Sequence, residues 1–227
     1  ELLKASFMVT QIGDKTNPIR QNNLMEAVID ELLETRFNKI EHVSSTGSTN
    51  SDLAARASTL PDGFLLVSDY QTDGRGRKGR KWDAPPGRNL IFSVLLRPKW
   101  SPERHQLVTP ALALATVEVL EKFGLRTSVK WPNDVMIGVD NYKKVAGILA
   151  EYVQQENPVL IVGMGLNVSW PQQKDSAPPN STSLIACGVG KDRSELLVEI
   201  LKNFEERLIE ISSEKGDATF RQAYMAK

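Results

Sequence analysis

The feature that most limits the architecture is a series of short strand-like runs with very little chain between them. Ser128 to Trp131, Asp134 to Ile137, Val145 to Val153 and Val159 to Val168 are such runs, with Asp140-Asn141 and Glu156-Asn157-Pro158 at the turns. A parallel pair needs a crossover of about a dozen residues or more, and several of these connections are too short for one. Much of the sheet is therefore antiparallel. Upstream, Ile40 to Ser45, Phe64 to Tyr70 and Leu90 to Leu96 are further runs of strand length.

Helical periodicity fills the rest of the chain. After a loose lead-in over residues 1–21, apolar residues recur at Leu24, Ala27, Val28, Leu32 and Phe37 as on one helical face. Ser48 and Thr49 offer caps for a short helix through Ala57, with Thr49 and Asp52 in capping-box spacing. Glu103 to Phe123 forms a long helix in which Pro110 predicts a kink or a late start, and Gly124 ends it. Gln172 to Ser181 is a polar loop, and Arg193 to Ile211 is a last long helix opened by Asp192 and Glu195. The fold class is α+β: a mixed, largely antiparallel sheet flanked by helices.

Composition narrows the function. With 227 residues the chain has length for one to two domains at roughly 150 residues each, and 28 Lys and Arg balance 28 Asp and Glu. That balance excludes a generally basic nucleic-acid coat. One cysteine, Cys187, cannot close an intramolecular disulfide, and two histidines, His42 and His105, are too few for a Cys/His zinc cluster, so no protein-held metal is expected. A cytoplasmic setting follows as the expectation. No window reaches the about 18 uninterrupted apolar residues of a membrane span.

Charge is concentrated in one place. Arg75, Arg77, Lys78, Arg80 and Lys81 put five cations into seven positions, interleaved with Gly74, Gly76 and Gly79. Such a segment repels itself when empty, and it gains bidentate contacts and close backbone approach when a multiply charged anion arrives. The competing reading is a solvated patch or an arginine-glycine RNA-binding segment. Against it, the remaining 23 cations are outnumbered by 28 carboxylates, whereas an RNA-coating protein spreads its cations over a face.

Four other groups carry chemistry. Lys130-Trp131-Pro132-Asn133-Asp134 places a cation, an aromatic, an amide and a carboxylate at a bend between two strands, and its plain alternative is a satisfied hairpin turn. Lys144 opens a strand whose next positions include the small Ala146 and Gly147, so a ligand can lie along the strand with the ammonium at its charged end. Ser48-Thr49-Asn50 offers two hydroxyls and an amide, or simply an N-cap. Gly163-Met164-Gly165-Leu166-Asn167 lacks the dinucleotide spacing and reads either as close backbone approach to a flat ligand or as sheet packing. There is no P-loop, and no Ser/His/Asp or Cys/His constellation is visible.

Taken in order, the blocks Ser48 to Asn50, Tyr70 to Trp82, Lys130 to Asp134, Lys144 to Leu149 and Gly163 to Asn167 closely resemble those of the biotin protein ligases. The likeness runs from about Ile40 to Tyr224. It implies a catalytic domain related to class II aminoacyl-tRNA synthetases, with residues 1–39 as lead-in and helix and 40–227 as that domain. It also implies activation of biotin by MgATP to biotinyl-5′-AMP and transfer to a lysine of a biotin carboxyl carrier protein domain of a biotin-dependent carboxylase. In that likeness Ser48, Thr49, Asn50, Gln71 and Gly147 belong to the biotin site, and Gly74, Arg75, Gly76 and Arg77 close over biotin and its carboxylate. Lys144 bridges the carboxylate and the α-phosphate; Lys144, Arg75, Arg77 and Asp134 are the catalytic candidates. Arg77, Arg80, Trp82, Lys130, Asn133 and Asn167 fall on the nucleotide side.

The resemblance is to the ligase without its accessories. No DNA-binding winged helix is expected before the domain, nor DNA as a partner, and the small β-barrel that usually follows is expected to be absent. A homodimer through an exposed sheet edge suits the family. A lipoate or octanoate ligase on the same fold, a nucleic-acid module using the basic loop, and a catalytically idle biotin binder are the alternatives; the first lacks this Gly/Arg block.

Overall fold

The structure, a computed structural model, describes residues 27–154, 158–171 and 178–227. The expected lead-in, Leu24, the turn at Glu156-Asn157 and most of the polar loop after Gln172 lie outside those residues. Seven strands, β1 (Ile40–Val43), β2 (Phe64–Ser68), β3 (Leu90–Leu96), β4 (Thr127–Lys130), β5 (Asp134–Ile137), β6 (Lys143–Val153) and β7 (Val159–Leu166), join one sheet in the order β1-β2-β3-β7-β6-β5-β4. β1 and β2 are parallel, and every other neighbouring pair is antiparallel. The mixed, largely antiparallel expectation holds, and the short connections are its cause.

Helical turns at residues 27–32 (α1) precede β1, and Val28, Leu32 and Phe37 are buried as periodicity demands, although Ala27 is exposed. α2 (Thr49–Ala55), α3 (Val108–Lys122), α4 (Arg193–Ser212) and α5 (Glu214–Met225) complete the fold. The long helix expected from Glu103 begins instead as a 3₁₀ segment, Pro102–Leu107, and becomes α-helical only at Val108. Pro110 thus lies in the first turn, where its missing N–H breaks no bond. Gly124 (φ +76°) follows the C-terminus of α3, in the left-handed conformation that a Cβ disfavours. Asp192 caps α4 through its carboxylate, which accepts from Ser194 N at 2.8 Å.

The capping box expected at Thr49 and Asp52 does not form. Ser48 is the N-cap without a side-chain bond, Asp52 accepts from the Thr46 hydroxyl, and the Thr49 hydroxyl turns inward. Its partners, Gln71 and Ser93, come from distant segments, which a local spacing rule cannot see.

Alternation along β3 and β7 divides the core. Phe92, Val94 and Leu96 of β3 and Leu160, Val162, Met164 and Leu166 of β7 pack against α3 and α4 in one large cluster. Leu95, Val159 and Ile161 face the other way, joining Leu53, Ala57 and Leu60 at α2 in a smaller one. Beyond them on that second face the side chains shrink to Ser93, Gly163 and Gly165. The register aligns Ile91, Gly165, Gly147 and Asp134 in one row across four strands, and Ser93, Gly163 and Leu149 in the next. Along those two rows the sheet is covered by the Asn50 amide, over Gly163, and the Trp82 indole, over Gly165. Among the described residues no helix is long and apolar enough to cross a membrane.

Candidate active site

A cleft of about 310 Å³ lies over the two small-residue rows. Its floor is β6 and β7, one wall is the start of α2 with Gln71, and the opposite wall is Lys130 to Asp134 at the β4–β5 turn. The basic segment closes the top. Gly76 N donates to Arg80 O at 2.7 Å and Trp82 N to Gly74 O at 2.8 Å, which makes residues 74–82 a small hairpin. Its tip needs left-handed backbone at Lys78 (φ +57°) and Gly79 (φ +71°). A Cβ on Gly74 would sit 2.3 Å from Trp82 O, so that glycine lets the two arms close.

The electrostatics are one-sided. Arg75, Arg77, Lys78, Arg80, Lys81, Lys130 and Lys144 line the cleft, and Asp134 is the only carboxylate lining it among the described residues. In a chain of zero net charge this is a concentrated positive field. Lys144 Nζ lies 2.7 Å from Asp134 Oδ1 and 5.4 Å from the Trp82 ring centroid. Both Lys144 and Trp82 fit because β6 carries Gly147 beside them: a Cβ there would come within 3.0 Å of each. The Trp82 indole rests on Gly165, and its buried Nε1 has no acceptor among the described residues. Such an orphan donor costs about 1–3 kcal/mol unless something accepts from it.

The other wall is a chain of neutral hydrogen bonds. Gln71 Oε1 accepts from Thr49 N at 2.8 Å, the Thr49 and Ser93 hydroxyls meet at 2.6 Å, and Ser93 donates to Asn50 Oδ1 at 2.6 Å. Asn50 Nδ2 then donates to Leu149 O at 3.2 Å and to Glu151 at 2.7 Å. Ser48, Thr49 and Asn50 are nearly fully buried, so these polar groups sit in low dielectric and are pre-aligned. Asn133 holds the facing wall: its Nδ2 donates to Ile148 O at 2.9 Å, and its Oδ1 accepts from Arg77 at 3.4 Å.

The base of the basic hairpin is anchored outside the cleft. Asp69 N donates to Val43 O and Gly87 N to Asp69 O, while the Asp69 carboxylate meets His42 at 3.1 Å and Arg193 at 2.8 Å. Burial pushes this carboxyl up, and the hydrogen bond and charge of His42 together with Arg193 more than offset it, leaving it below the usual range.

The structure therefore gathers Ser48, Thr49, Asn50, Gln71, Arg75, Gly76, Arg77, Arg80, Trp82, Lys130, Asn133, Asp134, Lys144 and Gly147 around one cleft. Gly74 and Asn167 are not among its lining residues. Asn167 is 4% exposed, accepts from Asn89 Nδ2 and donates to Thr182 O, each at 2.9 Å. It ties the end of β7 to neighbouring segments. Gly163 and Gly165 admit protein groups, since a Cβ would lie 2.2 Å from Asn50 Oδ1 on the first and 2.3 Å from Trp82 Cε2 on the second. Sequence reasoning missed Ser93 and Glu151. Their only signal was a lone polar residue inside an apolar strand.

The model of the Biotin/lipoate A/B protein ligase family matches residues 40–169, more than half of the chain. The chain belongs to this family. Within it, the chain is 39% identical over 173 residues to a bifunctional ligase/repressor BirA of Bacillus spizizenii, covering 73% of this chain and 51% of that protein. It is 34% identical over 201 residues to a biotin--[acetyl-CoA-carboxylase] ligase of Mycobacterium tuberculosis, covering 85% and 72%. It thus spans about half the length of the first relative and most of the second. Among solved structures, a biotin protein ligase from Aquifex aeolicus in complex with biotin and ATP superposes with a TM-score of 0.70 at 33% identity, over 82% of this chain and 77% of that one. The family's fold is the one described above.

Proposed function

We propose that this chain is an ATP-dependent biotin protein ligase. The observation that carries the reading is the convergence of seven cations on a cleft whose other wall is a buried neutral hydrogen-bond chain. Joining a carboxylate to a polyphosphate brings anions together, so positive charge fixed where negative charge accumulates is the dominant need. The relatives named as ligases and the structure holding biotin and ATP point to the same chemistry.

In the first step a biotin carboxylate oxygen attacks the α-phosphorus of ATP, the bond to the β-phosphate oxygen breaks, and pyrophosphate leaves. Lys144, beside Asp134 and the Trp82 ring, neutralises the carboxylate and α-phosphate together. Arg75 and Arg77 close over the acid, while Arg80, Lys130 and Asn133 take the nucleotide side. Ser48, Thr49, Asn50 and Gln71 face the uncharged end of the acid, and the Trp82 indole packs on the base. In the second step a carrier lysine amine attacks the acyl carbon, the bond to AMP breaks, and the amine loses its proton; Asp134 is placed to orient that amine. Water exclusion by the hairpin protects the mixed anhydride.

Magnesium fits as a passenger of ATP. Among the described residues no three His, Cys, Asp or Glu side chains form a cage, and Mg²⁺ commonly needs one or two carboxylates besides phosphates, for which Asp134 is the cleft's candidate. When bound it neutralises phosphate charge. A carboxylase carrier domain is the acceptor, a reducing cytoplasm suits the free Cys187, and a homodimer through a sheet edge is the assembly expected.

The test is mass spectrometry after incubation with MgATP and, separately, biotin, lipoate or octanoate. Biotinyl-AMP is expected. Lipoyl- or octanoyl-AMP in its place would replace the substrate, and no adenylate with any acid would overturn the reading.

A further inference from the structure

The cleft has a second carboxylate just behind its lining, and a site built for anions has an electrostatic reason to avoid one. Glu151 lies on β6 two residues beyond Leu149 and so on the same face as Gly147 and Leu149. One of its oxygens, Oε2, accepts from Asn50 Nδ2 at 2.7 Å and from Arg75 Nη2 at 3.1 Å. Asn50 belongs to the neutral wall and Arg75 to the basic hairpin. Glu151 joins the two through one oxygen.

Its contribution to folding is small on physical grounds. The Arg75 side chain is 43% exposed and that of Glu151 33% exposed, and ion pairs this open are worth little. A carboxylate near seven cations also subtracts from their attraction for an anion, unless it fixes one of them in a useful place. Arg75 spends one terminal nitrogen on Glu151, which leaves its remaining N–H groups free to face the cleft. The geometry points to Glu151 as a positioning residue for the acid substrate: it orients the Arg75 guanidinium toward the substrate carboxylate and holds the Asn50 amide in the opposite wall. This rests on the ligase reading above.

Glu151→Gln leaves an oxygen that can accept from Asn50 and removes the negative charge, which matters most for the contact with the cationic Arg75 guanidinium. In ATP–pyrophosphate exchange the variant is expected to raise the KM for biotin about tenfold, while kcat and the KM for ATP stay within about twofold and the melting temperature is unchanged. In an Arg75→Ala background the same substitution is expected to add nothing, because its effect passes through that guanidinium. A merely structural role would lower the melting temperature and leave the biotin KM alone.

An unchanged biotin KM, a rise in the ATP KM instead, or the same tenfold rise in the Arg75→Ala background overturns the inference. If the wild type exchanges pyrophosphate with biotin and Glu151→Gln matches it, only this inference fails. A wild type with no biotin-dependent exchange sinks the ligase reading and this inference together.

Discussion

The two faces of β3 and β7 are built from the same strands and do opposite work. Toward α3 and α4 each strand presents large apolar side chains, Phe92, Val94 and Leu96 from one and Leu160, Val162, Met164 and Leu166 from the other. Toward the cleft the same strands present Ser93, Gly163 and Gly165. Each large side chain buried on the first face contributes about 1.5–3 kcal/mol. At Ser93, Gly163 and Gly165 the second face gives up that contribution and gains room for Trp82 and Asn50 against the backbone. The first face holds the fold along its whole length, whereas the second packs Leu95, Val159 and Ile161 against α2 and leaves a space only at its cleft end, so substitutions at the two places should separate stability from chemistry.

The largest effect is expected on the helix-covered side. Phe204 of α4 is fully buried and stacks on Phe37 with ring centroids 5.7 Å apart. Phe204→Ala should cost about 3–5 kcal/mol, measured as a lower denaturant midpoint, with KM values unchanged in whatever fraction stays folded. A variant that kept its midpoint and lost activity would break the division between the faces.

Next comes the cleft itself. Lys144→Ala should reduce biotin-dependent pyrophosphate exchange about 10²–10³-fold, as expected for removing a group aimed at developing charge, with biotin affinity less affected. Near-normal exchange would remove Lys144 from the chemistry. The melting temperature should fall little, because the Lys144–Asp134 pair is partly open to solvent, 33% for the lysine and 20% for the aspartate.

A smaller and sharper effect is expected from the two glycines. Gly163→Ala would press on Asn50 and Ser93, and Gly165→Ala on Trp82. Overpacking of this kind costs about 1–3 kcal/mol, about five- to 150-fold in affinity where all of it falls on binding. The first should raise the KM for biotin and the second the KM for ATP. Identical effects of both substitutions on both substrates would show that the cleft is not divided into an acid end and a nucleotide end.

The fold was legible where short connections left few choices. Pro132-Asn133 between two strand runs forces a hairpin, and β4 and β5 pair as one. The continuous apolar run from Leu90 to Leu96 could be assigned as a buried strand, but not its division into two faces, because burial on both sides erases the alternation. Most of the cleft was legible because its blocks are compositionally odd: the Gly/Arg hairpin, the Lys-Trp-Pro-Asn-Asp bend and the lysine before small residues. The capping box at Thr49 and Asp52 failed because a hydroxyl at a helix start looks like a cap, whereas the partners of Thr49, Gln71 and Ser93, lie 22 and 44 residues away. Ser93 and Glu151 escaped for the same reason. A single polar residue in a strand announces nothing until the register shows what stands opposite.

The smallest expected effect lies outside both faces, at the anchor of the basic hairpin. Asp69 bridges His42 on β1 and Arg193 on α4, and its carbonyl receives Gly87 N from the segment that follows the hairpin. Its carboxyl is held below the ordinary value, so its ionised form is the one the fold prefers. The associated stability is fully present above the unfolded-state value of about 4, and it is lost as the pH falls through the lowered folded value. Asp69→Asn should therefore cost about 1 kcal/mol at neutral pH, read as a denaturant midpoint, and the gap to wild type should close on acidification below about pH 4. A gap constant down to low pH would mean that shape, not charge, sets the Asp69 contribution. A gap that closes, with the KM for biotin unchanged at neutral pH, would place the anchor with the helix-covered face: it secures where the hairpin starts and leaves the cleft to decide what the hairpin holds.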